Sequence, residues 1–588
     1  MQSRRCTLGF LLSILLAFLF VPAASADTIT LKIIAINDFH GNLQSPGKFR
    51  ADPQSPDVPV GGIDVLSGYV ASLKAQNPNH VVVTAGDLIG ASPLVSSLFH
   101  DEGTIETMNR LGLDLSAVGN HEFDKGRQEL LRMQSGGCST RDENTCKGAL
   151  VGTPVPFEGA HFQFLAANVL DQATGKPIFP AYAIKTYNGV RVAFIGLTLK
   201  ATPTMVTPSG VAGLRFEDEA ATINSLVQQL RGQGISTFIV LIHQGGMQTT
   251  KPPVDINACE GGLQGSPIQA IVSQLDDAVD LVISGHTHQA YVCRVANSAG
   301  RAIPVTSASS YGRLVTDIDM TLDTATRKAV AITARNILVD RTNAKITPDP
   351  ATQKIATQYA ALAAPLANRV VGRITADITS ANTPSGESAL GDLIADAQLE
   401  ATRDSGHAVV AFMNRGGIRA NVSFSSPAPG VADGQVTYGQ LFTIQPFGNS
   451  LVTMTLTGLQ LKKLLEQQFK GCALDFPAGN TMGHAADQIL QVSQGFTYSW
   501  NPAGAACNKV DAGSIQINGV TVVPTDKYRV TMNSFLADGG DQLYEFTLGT
   551  ERVGGAQDID ALAAYFAAHP SISPGSVDRI KLTPQPTP

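Results

Sequence analysis

Positive charge is thin in this chain. Charged residues fill only 15% of its 588 positions, and the net charge is −7. No lysine- or arginine-rich run points to a nucleic acid polymer or an anionic membrane as partner. Aromatic residues make up 6% and tryptophan occurs once. No CxxC spacing exists, so the usual thiolate metal site is not expected. After the first 22 residues no second spanning run appears, and the chain closes on the polar string KLTPQPTP. What remains is a globular composition: 43% hydrophobic residues and 56 glycines, which fit a loop-rich α/β protein. The length favours two large domains.

The first 26 residues form a separate object. A basic MQSRRC precedes the apolar LGFLLSILLAFLFVP and the small-residue AASA. This is the pattern of a secretory signal peptide cleaved before Asp27, and the apolar run is short for a retained anchor. The mature chain is expected in the periplasm or outside the cell, without a membrane anchor. Cys6 leaves with the signal. Cys138, Cys146, Cys259, Cys293, Cys472 and Cys507 remain, an even number that favours disulfides in an exported chain. Fifteen pairings are formally open, and chain order favours 138–146, 259–293 and 472–507.

Apolar strand-like runs alternate with helical patterns up to about residue 340. HVVVTAGD (80–87), LSAVGN (115–120), FLAANV (164–169), VRVAFIGLT (190–198), TFIVLIHQGG (237–246) and DLVISGHTH (280–288) read as strands. Residues 61–76 and 216–234 read as helices between them, which predicts a layered α/β domain. The Ala-rich stretch 348–370 suits a helical connector. A second α/β domain follows from about 371.

Chemistry gathers at the strand ends. TLKIIAINDFHGNL runs apolar and then delivers Asp38 and His40. TAGD delivers Asp87, VGNHEFD delivers Asn120, His121 and Asp124, LIHQGG delivers His243, and SGHTH delivers His286 and His288. Each alone reads best as a turn or surface group. Together they share one edge, because the carboxyl ends of parallel strands lie side by side. Carboxylate, amide and imidazole without cysteine suit zinc, manganese, iron or cobalt. Even without His121 and Asp124, the seven remaining groups exceed one four-coordinate site, so two ions sharing a bridging carboxylate are expected.

The ordered set D-x-H, GD, GNHE, H, GHxH resembles the calcineurin-like metallophosphoesterases. With NDFHGN, GNHEFD, NRGGIR and FLADGGD, the chain resembles the secreted or periplasmic bacterial 5′-nucleotidases along nearly its whole mature length. The resemblance implies a four-layer α/β/β/α metallophosphoesterase domain at 27–345, a linker helix at 346–370 and a smaller α/β nucleoside-binding domain at 371–585. It implies that Asp38, His40 and His288 hold one divalent ion and that Asn120, His243 and His286 hold the other. Asp87 bridges them; zinc, manganese or cobalt are expected. His121 acts on the phosphoryl oxygens, held by Asp124. Asn414, Arg419, Phe447, Asn449, Phe535 and Asp541 carry over as substrate contacts, with Gly495 in the base pocket. Many relatives carry an arginine where this chain reads TSANTPSGES, and Arg415 is expected to supply that charge.

The implied activity is hydrolysis of small-molecule nucleoside 5′-phosphates by a monomer or weak dimer that does not act on nucleic acid polymers. A 2′,3′-cyclic nucleotide phosphodiesterase/3′-nucleotidase or a UDP-sugar hydrolase is the enzymatic alternative; relatives of the cyclic type tend to carry asparagine at the Asp124 position. A thiosulfohydrolase fits less well because the nucleoside-reading loops are intact. A scaffold that lost its activity would be expected to have lost ligands first.

Overall fold

The computed structural model describes residues 27–140, 142–206, 208–249, 253–425, 430–476, 483–484 and 486–583. The expected signal peptide, 1–26, lies outside the described residues.

Two six-stranded sheets form the centre of the N-terminal half. The first runs in the order Lys328–Leu338, Leu314–Asp323, Thr28–Ile36, His80–Thr84, Leu115–Ala117, Gln163–Leu165. The second runs Ala290–Ala296, Ala302–Ala308, Val279–Ser284, Thr237–Ile242, Val190–Leu197, Tyr182–Tyr187. Their inner faces meet through a buried cluster that includes Leu31, Ile33, Val81 and Val83 from one sheet and Phe194, Ile239, Leu241 and Ile283 from the other. The outer face of the first sheet is covered by helices Ile63–Lys74 and Glu102–Leu111, and that of the second by Glu219–Arg231 and Pro267–Val272. This is the α/β/β/α sandwich. Continuous apolar runs such as TFIVLI are what a strand covered on both faces requires. Thr28–Ile36 runs parallel to His80–Thr84, which runs parallel to Leu115–Ala117. Thr237–Ile242 and Val279–Ser284 are likewise parallel. Their carboxyl ends therefore deliver the loops carrying Asp38, Asp87, Asn120, His243 and His286 to one edge.

Helix Pro350–Ala367 begins with Asp349 as cap, accepting from the Thr352 N–H at 2.7 Å. It packs Tyr359 against the N-terminal half, with the Tyr359 hydroxyl 3.2 Å from Glu106 Oε2. Beyond it, a five-stranded sheet runs Gln491–Val492, Val410–Met413, Lys527–Asn533, Ser450–Thr457, Thr550–Gln557. Helices Ala389–Gly406 and Asp558–Ala568 contribute to the core on one side of this sheet and Gly458–Gln467 to that on the other. Disulfides join Cys138 to Cys146, Cys259 to Cys293 and Cys472 to Cys507, the pairing that chain order favoured. No described helix is long and apolar enough to cross a membrane.

Candidate active site

The turns after the strands carry unusual backbone. Asp38, His40, Asp87, His286 and His288 all adopt positive φ, between 47° and 71°. Side-chain-bearing residues pay about 1–3 kcal/mol each for sparsely populated conformations, and such residues gather at functional sites. Neighbouring turns are stitched together: Asp38 N–H donates to the Gly86 carbonyl at 3.0 Å and His40 N–H to that of Asp87 at 3.0 Å. Gly119 is required by a close approach. A Cβ there would lie 2.2 Å from Asp87 Oδ1.

Two groups of ligand atoms converge: Asp38, His40 and His288, and Asp87, His243 and His286. Asn120 joins the second, its Oδ1 lying 3.1 Å from both His243 Nε2 and His286 Nδ1. Asp87 Oδ2 stands between the groups, 3.6 Å from His40 Nε2 and 3.0 Å from His243 Nε2. All seven expected ligands are therefore brought together, with Asp87 in the shared position.

The donor set fits divalent cations. His40 Nδ1 lies 2.8 Å from the Gly90 carbonyl and His243 Nδ1 2.8 Å from that of Ala85. A carbonyl only accepts, so each Nδ1 carries the proton and each Nε2 is left as a ligand. His40 Nε2, left with its lone pair, then faces His288 Nε2 at 3.1 Å. Burial pushes His40 and His286 down to about 3, which keeps these rings neutral. Burial opposes charge on Asp87 as well, but His243, itself raised to about 9 by the Asp87 carboxylate 3.0 Å away, and His121 hold that carboxylate well below the usual range; a bound cation would take the place of the His243 Nε2 proton. Burial pushes Asp38 up to about 7.

His121 lies beside this centre and outside both ligand groups. Its Nδ1 is 3.0 Å from both Asp124 oxygens, and its backbone N–H donates to Asp87 Oδ1 at 2.9 Å. Burial works against the imidazolium, yet the Asp124 and Asp87 carboxylates raise His121 above its ordinary value. Sequence reasoning missed Glu122. Its buried carboxylate accepts from the N–H groups of Asp87 at 3.0 Å, Leu88 at 2.7 Å and Gly119 at 2.6 Å, tying two ligand turns together. Its place inside GNHEFD was the available signal.

A cavity of about 250 Å³ opens from the metal-ligand cluster toward the C-terminal half. Asn120, His121, Asp124 and His286 line one side; Asn414, Arg419, Phe447, Asn449, Phe535 and Asp541 line the other. Phe447 stacks near His121, with ring centroids 5.6 Å apart and planes 19° from parallel. The Arg419 guanidinium lies 6.0 Å from the centre of the Phe447 ring. Asn414 Nδ2 donates to Asp541 Oδ2 at 2.8 Å and Asn414 Oδ1 accepts from Asn533 at 3.0 Å. Burial pushes Asp541 up to about 6, against the stabilising Asn414 bond. Phe447 and Phe535 are half-buried rather than sealed in a core.

Two expected contacts stand off this cavity. Arg415 is exposed and does not line the cavity; with the Asn382 amide oxygen turned toward it, Nη1 donates to that oxygen at 2.9 Å. The neighbouring Arg419 points to the cavity instead, because the short 3₁₀ turn Arg415–Gly417 separates the two side chains. Gly495 also stands off the cavity. It forms a positive-φ turn before strand Phe496–Trp500, packed against Asn518. Cavity walls that the sequence did not reveal are Thr204, Met205, Val206, His484, Gln488 and Gln542.

Known proteins share both halves of this arrangement. Residues 31–290 match the calcineurin-like phosphoesterase family and residues 370–548 match the 5′-nucleotidase C-terminal domain. The chain is 30% identical over 546 residues to the endonuclease YhcR of Bacillus subtilis, covering 92% of this chain and 40% of that protein. It is 29% identical over 547 residues to the cell wall protein Lmo0130 of Listeria monocytogenes, covering 89% of this chain and 65% of that one. The chain thus spans less than two thirds of the length of either relative. A solved structure of a 5′-nucleotidase precursor from Thermus thermophilus is similar with a TM-score of 0.73 and 25% identity, covering 95% of this chain and 100% of that one.

Proposed function

The chain belongs to the calcineurin-like phosphoesterases that carry a 5′-nucleotidase C-terminal domain, and from that premise we propose that it is an exported phosphohydrolase releasing phosphate from nucleoside 5′-monophosphates. One observation carries the reading: a centre of seven nitrogen and oxygen ligands, with Asp87 shared between two groups, opens directly into a cavity walled by Phe447 and Phe535. Asp38, His40 and His288 would hold one ion, Asn120, His243 and His286 the other, and Asp87 both. Such a pair supplies the positive charge that makes hydroxide available near neutral pH and offsets the charge of the phosphate.

The chain's own groups then divide the work. The His121 imidazolium, held by Asp124, donates to the phosphoryl oxygens as charge grows on them. Asn414 and Arg419 orient the phosphate and ribose end. Asp541 accepts from ribose hydroxyls. Phe447 and Phe535 take the base between their faces, a mode of binding tolerant of base identity. Asp124 favours the 5′-monophosphate over a 2′,3′-cyclic nucleotide. Export is supported by the basic–apolar–small N-terminal pattern, by three disulfides, which persist in oxidising compartments, and by the cell wall relative.

The test is a substrate panel on purified protein reconstituted with zinc, manganese or cobalt. AMP is expected to be turned over well ahead of 2′,3′-cyclic AMP, UDP-glucose and single-stranded DNA, with activity lost on chelation and restored by metal. Faster cleavage of the DNA than of AMP would overturn the reading in favour of the activity named for the Bacillus relative.

A further inference from the structure

Two polar groups at the cavity have no task in the scheme above. His484 is 8% exposed and lines the cavity, and its Nε2 has no hydrogen-bond partner among the described residues. Gln542 lines the same cavity, and its buried Oε1 is likewise without a partner. Leaving such atoms unmet is costly, so a paired state is to be expected elsewhere in the working cycle.

Both groups are held in place. The His484 carbonyl accepts from the Gly471 N–H at 2.9 Å. The preceding Gly483 packs so tightly on Cys472 that a Cβ would lie 2.3 Å from the Cys472 carbonyl oxygen, and Cys472 is fixed to Cys507. Gln542 follows Asp541 in a turn where both residues have positive φ, 50° and 55°. That turn lies against Phe535, whose ring would meet a Cβ at Gly540 at 2.5 Å. The backbone therefore holds a strained shape where an amide side chain reaches the wall beside a stacking ring.

We propose that His484 and Gln542 read the edge of the base whose faces lie between Phe447 and Phe535, and that they select bases bearing an exocyclic amine beside a ring nitrogen, as adenine does. The inference rests on the nucleoside monophosphate reading and adds specificity to it. An amide oxygen needs a donor, which an exocyclic amine supplies. A neutral imidazole offers one donor and one acceptor, so it can meet a ring nitrogen. Burial holds His484 down to about 4, so it meets the base uncharged at neutral pH. Stacking alone does not distinguish bases; two edge contacts do, because the analogue lacking the amine leaves a buried acceptor unpaired.

The experiment compares kcat/KM for AMP with that for the 5′-monophosphate of unsubstituted purine riboside, using full-length protein reconstituted with metal. Wild type is expected to prefer AMP by roughly ten- to hundredfold. His484→Phe keeps a planar ring and removes the polar edge; it should cut the preference several-fold, with His484→Gln restoring part of it. Gln542→Gly suits the positive φ, so the turn survives, and it should also lower the preference. Hydrolysis of p-nitrophenyl phosphate, which needs only the metal centre, should be unchanged in all three. An unaltered preference in both His484→Phe and Gln542→Gly overturns the edge reading and leaves the nucleotidase reading standing, as does a wild type that treats the two nucleotides alike. A wild type that hydrolyses p-nitrophenyl phosphate but neither nucleotide overturns both.

Discussion

At the scale of single residues, Asp87 and His121 are neighbours to which the proposal gives different jobs. Asp87 presents one carboxylate oxygen to both ligand groups. Asp87→Ala is expected to lose at least one ion per chain and nearly all turnover, read by metal analysis and by AMP hydrolysis; two ions and normal rates would sink the shared-ligand assignment. His121 touches Asp87 through its backbone and Asp124 through its ring, and it stands outside both ligand groups. His121→Ala should therefore keep its metal while kcat falls by roughly 10²–10³-fold, the scale of one lost transition-state donor. A fall in metal content instead would make His121 a ligand. The convergence of these side chains was legible in the sequence because strand-end Asp, Asn and His are chemically distinctive. Their left-handed backbone was not legible, since nothing in the letters of NDFH or GHTH demands a positive φ; the stitching between adjacent turns imposes it.

Elements were legible where burial is two-sided. TFIVLI and DLVIS had to be interior strands, and both are. The second domain was harder, because its site is built from turns whose direction depends on the partner element. NRGGIR looked like one loop with two arginines facing substrate, yet a single 3₁₀ turn sends Arg415 to Asn382 and Arg419 to the cavity. Thr204–Val206 and His484 had no motif around them at all. A further element-scale contact was equally hidden. Helix Ala389–Gly406 carries Asp392 and Asp396, and Arg579, just before the last strand, grips Asp396 at 2.8 Å through both amino groups. Asp392 is almost fully buried, with Arg579 Nε 3.7 Å from its carboxylate. Burial pushes Asp392 up to about 9; Arg579 opposes the rise and the Glu387 carboxylate adds to it. Its folded value lies above the unfolded one, so the folded state binds the extra proton. Stability from this group is full at low pH and is lost as pH rises from about 4 toward 9. Asp392→Asn mimics the protonated form, so its Tm should fall less than that of wild type between pH 6 and pH 9. Parallel melting curves across that range would show that Asp392 is ionised in the fold.

On the scale of the whole molecule, the decisive feature is that one cavity has walls from both halves of the chain. The convergent Asp, Asn and His groups end at His288, whereas the cavity residues proposed to stack the base and hold the ribose begin after 410. On the proposed function, a nucleotide filling the cavity would be gripped at its phosphate by one half and at its base by the other, and its entry and release would call for relative motion of the two. The connecting helix Pro350–Ala367 is bound to the N-terminal half through Tyr359 and Ile355, so a hinge between the halves would lie at its far end, near Asn368 and Arg369. The division of labour has a kinetic consequence. Phe447→Ala and Phe535→Ala remove stacking surface from the base end only. Each aromatic contact with a base contributes about 1–3 kcal/mol, so KM for AMP should rise roughly five- to over a hundredfold. A simple aryl phosphate engages the metal half and should be hydrolysed nearly as before. Phe447 carries an added complication, because its ring lies 5.6 Å from that of His121 and its loss alters the surroundings of the imidazole. Phe535 stacks on no histidine among the described residues and gives the cleaner measurement. If Phe535→Ala slows AMP and aryl phosphate equally, with an unchanged Tm, the base is not read by the C-terminal half and the two halves do not share the substrate.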